Sequence, residues 1–358
     1  MSVDFGRRRS DVLAAVGYLD LDHVLVSNML NVRYLTGFTG SVGYLLLSAN
    51  PVLLVDARYR EQAGEQASGV DIVSVDSSAL LNTGLANMLD EASATRIGYE
   101  AQDLSAAKYL DLVSPNIDLI RTDNLVELRR TRKDEVEVAL LRKAASLAIE
   151  ILDMAWGLIK PGVLEAEIAG AIEQAQRTAG SEGSAAKLIV ASGPRTSLPH
   201  AAASMRPIGR DEPVLIDIST VWEGYRADIT RLGFTGPVPA EYSEIVDVVG
   251  AAQDNAIAEL RPGMTASQVD SLIRGVVEEK GFGPQFIHAS GHGIGMGQHE
   301  LPMFNPYHDT PVEPGMVVMF EPGIYIEGKY GARLEDAVVV TEEGCDVLMP
   351  AGREIRQI

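Results

Sequence analysis

The chain has 358 residues, 46% of them hydrophobic and 22% charged, with a formal net charge of −20. This length allows two domains with sizeable cores, and such acidity argues against a nucleic-acid partner, which needs a basic face. Cys345 is the single cysteine, so no internal disulfide can form and a reducing compartment is expected.

The opening MSVDFGRRRSDVLAAVG has no apolar region of secretory-signal length. Nor does any apolar run reach the length that spans a bilayer. A cytoplasmic location without membrane contact is the expectation. Up to about residue 123, β-like runs alternate with helical ones. HVLVSN (23–28), GYLLLS (43–48), PVLLVD (51–56), VDIVSVD (70–76), RIGYE (96–100) and DLIRTD (118–123) read as strands, and 79–92 has helical spacing. The alternation predicts an α/β domain with a mixed sheet. It has no phosphate-cradling glycine loop. The next stretch, 126–159, is charged and then strongly helical, which reads as a linker entering a long helix. The boundary is placed there, giving domains 1–128 and 129–358.

The second part carries an internal echo. Lys160-Pro161-Gly162 and Arg261-Pro262-Gly263 each begin an amphipathic helical run that closes at Gly180 or Gly281. Each run leads to histidines, His200 in one copy and His288 and His292 in the other. VLIDISTVWEGYRADITRLGF and VVMFEPGIYIEGKYGARLEDAVVV then both read as strand, Glu-Gly turn and returning strand. The carboxylates fall at matching places: Asp217 and Asp228 in the first copy, Glu321 and Glu335 in the second.

GHGIGMGQHELP (291–302) places His299 before Glu300, yet it is no helical H-E-x-x-H zinc motif. The second histidine is absent, and Pro302 would end the helix. A single Asp at the end of an apolar strand is more often structural than a ligand. Four such carboxylates converging on one place would repel unless cations lie between them. Mostly oxygen donors and one imidazole describe a divalent-metal site, with carboxylates enough to bridge two ions.

Asp217 and Asp228 eleven residues apart, His292 in GHGIG, Glu321 in EPG and Glu335 in RLED resemble the pita-bread metallopeptidases. These are the Xaa-Pro dipeptidases (prolidases), aminopeptidases P and methionine aminopeptidases. NVRYLTGFTGS (31–41) and VDARYREQA (55–63) resemble the creatinase/prolidase N-terminal domain, so the likeness covers essentially the whole chain. Methionine aminopeptidases lack that domain and fit less well. The resemblance implies an α/β (α+β) chain, with the creatinase-like domain followed by a pseudo-symmetric pita-bread catalytic domain.

By position, it assigns Asp217 to one metal, Asp228 and Glu335 to both, and His292 and Glu321 to the second. The metals expected are Mn²⁺ or Co²⁺, with Zn²⁺ as an alternative. Glu321 is expected to take a proton from the attacking water and pass it toward the leaving amine. His299 would donate to the developing oxyanion, and His200 and His288 would contact substrate. Arg333 would brace the site or contact substrate. A homodimer and a small peptide with proline in second position complete the implied partners.

Two positions depart from the pattern: Ser219 stands where the family often has Gly, and Met303 where some dipeptidases carry an arginine for the substrate's C-terminal carboxylate. The second departure leaves room for aminopeptidase P activity on longer peptides. A creatinase- or ectoine-type C–N hydrolase and a non-catalytic binding protein are the more distant alternatives. Asp336 is expected on the opposite strand face from Glu335, outside the site.

Overall fold

The computed structural model describes residues 3–184, 188–348 and 350–358. It forms two compact units, Met1–Arg130 and Thr131–Ile358.

The first unit runs α1 (Phe5–Tyr18), β1 (His23–Val26), α2 (Met29–Thr36), β2 (Tyr44–Leu47), β3 (Val52–Asp56), α3 (Arg60–Gln66) and β4 (Asp71–Val75). It continues with α4 (Leu81–Glu91), β5 (Arg96–Glu100), α5 (Ala106–Leu112), β6 (Asp118–Thr122) and α6 (Glu127–Arg130). All six anticipated strands join one sheet in the order β4-β3-β2-β1-β5-β6. β1 pairs antiparallel with β2 and parallel with β5, so the sheet is mixed, as the alternating pattern implied. The α4 side chains Leu81, Leu85, Met88 and Leu89 pack with Leu25, Leu46, Leu54 and Ile97 of the sheet. Helix α1 was not read from the sequence. It buries Arg8, Val12 and Val16, a stripe at intervals of four that three consecutive arginines obscure.

The second unit opens with α7 (Glu135–Trp156), α8 (Glu165–Thr178), β7 (Ile189–Ser192), β8 (Pro213–Trp222) and β9 (Tyr225–Phe234). It proceeds through α9 (Ala240–Glu259), α10 (Ala266–Glu279), β10 (Gly291–Gly293), β11 (Glu300–Phe304) and β12 (Val317–Phe320). It ends with β13 (Gly323–Ile326), β14 (Tyr330–Arg333), β15 (Asp336–Val340), β16 (Cys345–Val347) and β17 (Arg356–Gln357). Helix α7 starts in a capping box. Asp134 Oδ1 accepts from Glu137 N at 2.9 Å, and Glu137 Oε2 accepts from Asp134 N at 3.1 Å. Thr265 and Gln268 do the same for α10.

The echo in the sequence is an echo in space. Gly162 N donates to Ile208 O at 2.7 Å, and Ile208 N returns a bond to Val163 O at 2.8 Å. In the second copy Gly263 N donates to Val312 O, and Val312 N to Met264 O, both at 2.8 Å. The two hairpins nevertheless differ. β8 and β9 pair without interruption from Pro213–Phe234 to Trp222–Tyr225, around a two-residue turn in which Glu223 (φ 48) and Gly224 (φ 84) are both left-handed. The second copy is not one continuous hairpin. β12 pairs with β15 in a five-stranded sheet, while β13 and β14 form a separate ladder around the turn. Pro322 has no N–H to donate, and Glu335 N turns away to Thr230 O at 3.3 Å. The ladder therefore breaks where Glu321 and Glu335 sit.

Candidate metal centre

Register explains why the carboxylates of the first hairpin share a face. Asp217 lies opposite Thr230, and Ser219 opposite Asp228. Cross-strand partners and residues two apart point the same way, so Asp217, Ser219, Asp228 and Thr230 form one patch. The next residues along β9 face away: Arg231 pairs with Asp336, which puts Asp336 on the far side from Glu335, as alternation requires.

The second copy closes on this patch. Thr230 and Glu335 form a bridge, and Thr230 Oγ1 donates to Glu335 Oε2 at 2.8 Å. β10 runs between β11 and β12, with His292 opposite Met303 on one side and Met319 on the other. His292 Nε2 lies 3.7 Å from Glu321 Oε1 and 3.8 Å from Glu335 Oε1. Among the described residues, Asp228, His292 and Glu335 each bring one ligand atom within 4.8 Å of the other two. Asp217 stands outside that tightest group, with Oδ2 held by Arg333 Nη2. Its charge still reaches the cluster, raising the pKa values of Asp228, Glu321 and Glu335.

These groups fit a cation. His292 is 1% exposed, and its Nδ1 lies 2.9 Å from Gly293 O. A carbonyl can only accept, so Nδ1 carries the proton and Nε2 turns a lone pair toward two carboxylates. Burial, helped by His299, depresses His292 to about 3, so protonation does not relieve the opposed lone pairs at neutral pH. Burial also pushes Asp228 and Glu335 well above the carboxylate range; Glu335, Asp217 and Glu321 add to the rise at Asp228, and Glu321 and Asp217 to that at Glu335. Asp228 Oδ1 is buried without a hydrogen-bond partner. A positive charge among these atoms removes the conflict.

Arg333 is 3% exposed and makes four hydrogen bonds within the protein. Nη2 meets Asp217, Nη1 donates to Tyr325 Oη at 2.8 Å and Pro199 O at 3.1 Å, and Nε donates to Thr230 Oγ1 at 3.3 Å. Arg333 thus braces Asp217, Tyr325 and Thr230 against one another. His288 is likewise tied: Nδ1 donates to Ala289 O at 2.7 Å, and Nε2 accepts from Tyr325 Oη at 3.0 Å. Burial lowers it to about 4. Arg274 fixes the segment behind it, donating to Phe286 O at 3.2 Å and His288 O at 2.9 Å.

His200 is exposed and lines, with Leu198, Pro199, Ala201, Ile287 and His288, a concavity of about 400 Å³. His299, also exposed, sets its ring edge-on against His292 with centroids 4.4 Å apart. Sequence reasoning missed Thr230, Tyr325 and Gln298. Thr230 was within reach, two residues beyond Asp228 on a predicted strand. Gln298 adjoins His299 but carries no motif, and Tyr325 acquires its contacts only through the turn at Gly328.

Residues 139–342 match Metallopeptidase family M24, and residues 8–131 match the Creatinase/Prolidase N-terminal domain. An Xaa-Pro dipeptidase of Pyrococcus furiosus is 31% identical over 344 residues, spanning 94% of this chain and 95% of that protein. The structure of an Xaa-Pro dipeptidase from Bacillus anthracis superposes with a TM-score of 0.94 at 34% identity, covering 99% of this chain and 100% of that one. An X-Pro aminopeptidase from Thermotoga maritima gives 0.91 at 32% identity, covering 98% and 99%. The matched span exceeds half the chain and contains the whole carboxylate–imidazole cluster, so the protein belongs to this metallopeptidase family and is a metal-dependent hydrolase with a creatinase/prolidase-type N-terminal domain.

Proposed function

We propose that the protein cleaves the peptide bond between an N-terminal residue and a following proline, acting as an Xaa-Pro dipeptidase. The observation that carries the proposal is the convergence of Asp228, His292, Glu321 and Glu335, with Asp217 beside them, next to a concavity bordered by His200 and His288. Five such side chains, mostly hard oxygen donors, suit two divalent cations, Mn²⁺ or Co²⁺, with Zn²⁺ as the softer alternative. When bound, these ions would supply Lewis-acid polarisation and a water acidic enough to attack near neutral pH.

The chain's own residues have separable tasks in this reading. Glu321, whose Oε1 lies 3.7 Å from His292 Nε2, is the group that accepts a proton from the attacking water and returns it to the leaving proline nitrogen. His299, exposed beside His292, donates to the oxygen on which negative charge develops. The Leu198–Pro199 and Ile287 surface gives a proline ring an apolar wall, with His200 at its edge. Arg333 and Tyr325 hold Asp217 and His288 in place. The tertiary Xaa-Pro amide has no N–H, so a site that relies on polarising the carbonyl and protonating the nitrogen loses nothing by its absence. The cytoplasmic homodimer implied by the family resemblance is part of the same proposal.

Met303 supports a second reading. It lies opposite His292 in the β10–β11 ladder and offers no charge to a dipeptide's C-terminal carboxylate, which favours aminopeptidase P activity on longer peptides. An assay of the Mn²⁺-loaded protein with Xaa-Pro dipeptides and Xaa-Pro-Yaa tripeptides separates the two. Turnover of dipeptides is expected. Preference for tripeptides transfers the assignment to aminopeptidase P, and turnover of neither rejects both.

A further inference from the structure

We infer that Gln298 is a positioning residue of the metal centre: it holds one oxygen of Asp228 back from the cations and so weakens one of the two cation positions. The inference rests on the two-cation reading above.

Gln298 has little freedom to be elsewhere. Its loop is pinned by Arg226 N donating to Gly295 O at 2.8 Å, and by Gly297 N donating to Glu300 Oε1 at 2.7 Å. Glu300 Oε2 in turn accepts from Lys133 Nζ at 3.1 Å, an ion pair whose side chains are 1% and 7% exposed. From this fixed backbone the Gln298 amide reaches Asp228 and donates from Nε2 to Oδ2. An ionised carboxylate, the form that ligates a cation, only accepts, so toward it the amide presents its nitrogen. Two buried acceptors of this pair have no donor, Gln298 Oε1 and Asp228 Oδ1.

The two carboxylates of the β8–β9 face are thus treated alike. Asp217 Oδ2 is held by Arg333, and Asp228 Oδ2 by Gln298. A cation that uses either oxygen must compete with a donor already in place. On the other side, His292 Nε2 faces Glu321 Oε1 and Glu335 Oε1 directly, and Asp228 Oδ1 has no donor on it. A position that draws on Asp228 Oδ1 with His292, Glu321 and Glu335 meets no such donor and is the tighter one. A position that draws on Asp217 Oδ2 and Asp228 Oδ2 meets both donors and is the weaker. Outer hydrogen bonds around a metal ligand ordinarily support affinity, and losing one lowers it about 10–100-fold. Here the donor occupies the ligating oxygen itself, so removing it raises affinity at one position. A merely structural role would give the opposite sign.

Calorimetric titration of the metal-stripped full-length protein with Mn²⁺ tests this, comparing wild type with Gln298→Met, which is similar in length and lacks the donor. The wild type takes up two ions in unequal steps. In Gln298→Met the weaker step tightens by about tenfold, about 1.4 kcal/mol, while the tighter step is unchanged. A weaker step that is unchanged or loosened in the folded variant overturns the inference, as do two equal steps in the wild type. Wild-type uptake of one ion or none overturns the two-cation reading and the inference with it. Should Gln298→Met lose its cooperative melt, Gln298→Asn, whose shorter amide falls short of Asp228, carries the same expectation.

Discussion

His292 and His299 stand seven residues apart, and their rings touch edge to face, yet their surroundings divide the work. His292 is buried, with Nδ1 committed to Gly293 O and Nε2 facing two carboxylates, whereas His299 is exposed. His292→Ala is therefore expected to lose metal and activity together. His299→Ala should retain metal while kcat falls about 10²–10³-fold, the usual cost of one oxyanion donor. Metal analysis of both purified variants beside their kinetics checks the pair, and full occupancy in the His292 variant would remove it from the ligand set. At this scale the sequence was informative for residues with a fixed place in a motif. It was silent on Gln298 and Tyr325, whose partners lie 70 residues and 37 residues away and meet them only through the fold.

Strand β10 is where the local backbone limits the site most. A Cβ on Gly291 would collide with the carbonyl oxygen of Met319, and one on Gly293 with that of Leu301, because β11 and β12 flank the strand on both sides. Glycine serves here for close approach, not for a left-handed turn. Gly291→Ala is expected to destabilise the protein by about 1–3 kcal/mol through overpacking and to displace His292 from the carboxylates. Gly170 in α8 has nothing within 4 Å of its would-be Cβ, so Gly170→Ala should stabilise by up to about 1 kcal/mol. Thermal melts of the two variants should move in opposite directions, and a Gly291→Ala protein as stable as wild type would refute the packing argument. The helix–hairpin echo was legible because Pro-Gly turns, capping residues and strand alternation are local signals. The break in the second hairpin was not. It depends on Pro322 and on Glu335 turning to a strand a hundred residues earlier.

For the molecule as a whole, buried charge makes stability depend on pH well away from the metal cluster. Glu100 accepts from Ser27 N and Asn28 N, both at 2.7 Å, and from Asn31 Nδ2 at 2.6 Å. Burial nevertheless raises its pKa to about 7, with Glu127 pushing the same way and the Asn28 and Asn31 bonds opposing. The folded form then holds a proton more tightly than the unfolded chain. Its stabilising contribution is complete below about 4.5 and is lost as pH rises through about 7. The melting temperature of Glu100→Gln should accordingly fall less than that of wild type across this window, and parallel profiles would dismiss the assignment.

The six strands and mixed sheet of the first unit, and the repeated helices and hairpin strands of the second, followed from periodicity and turn chemistry. The charge of −20 bore only on which partners to exclude. None of the described helices is long and apolar enough to cross a membrane. The most direct test of the central claim is an anomalous difference map from crystals grown with Mn²⁺. Two peaks are predicted, one in contact with Asp228, His292, Glu321 and Glu335, the other with Asp217, Asp228 and Glu335; a map with no peak among these five side chains would contradict the account.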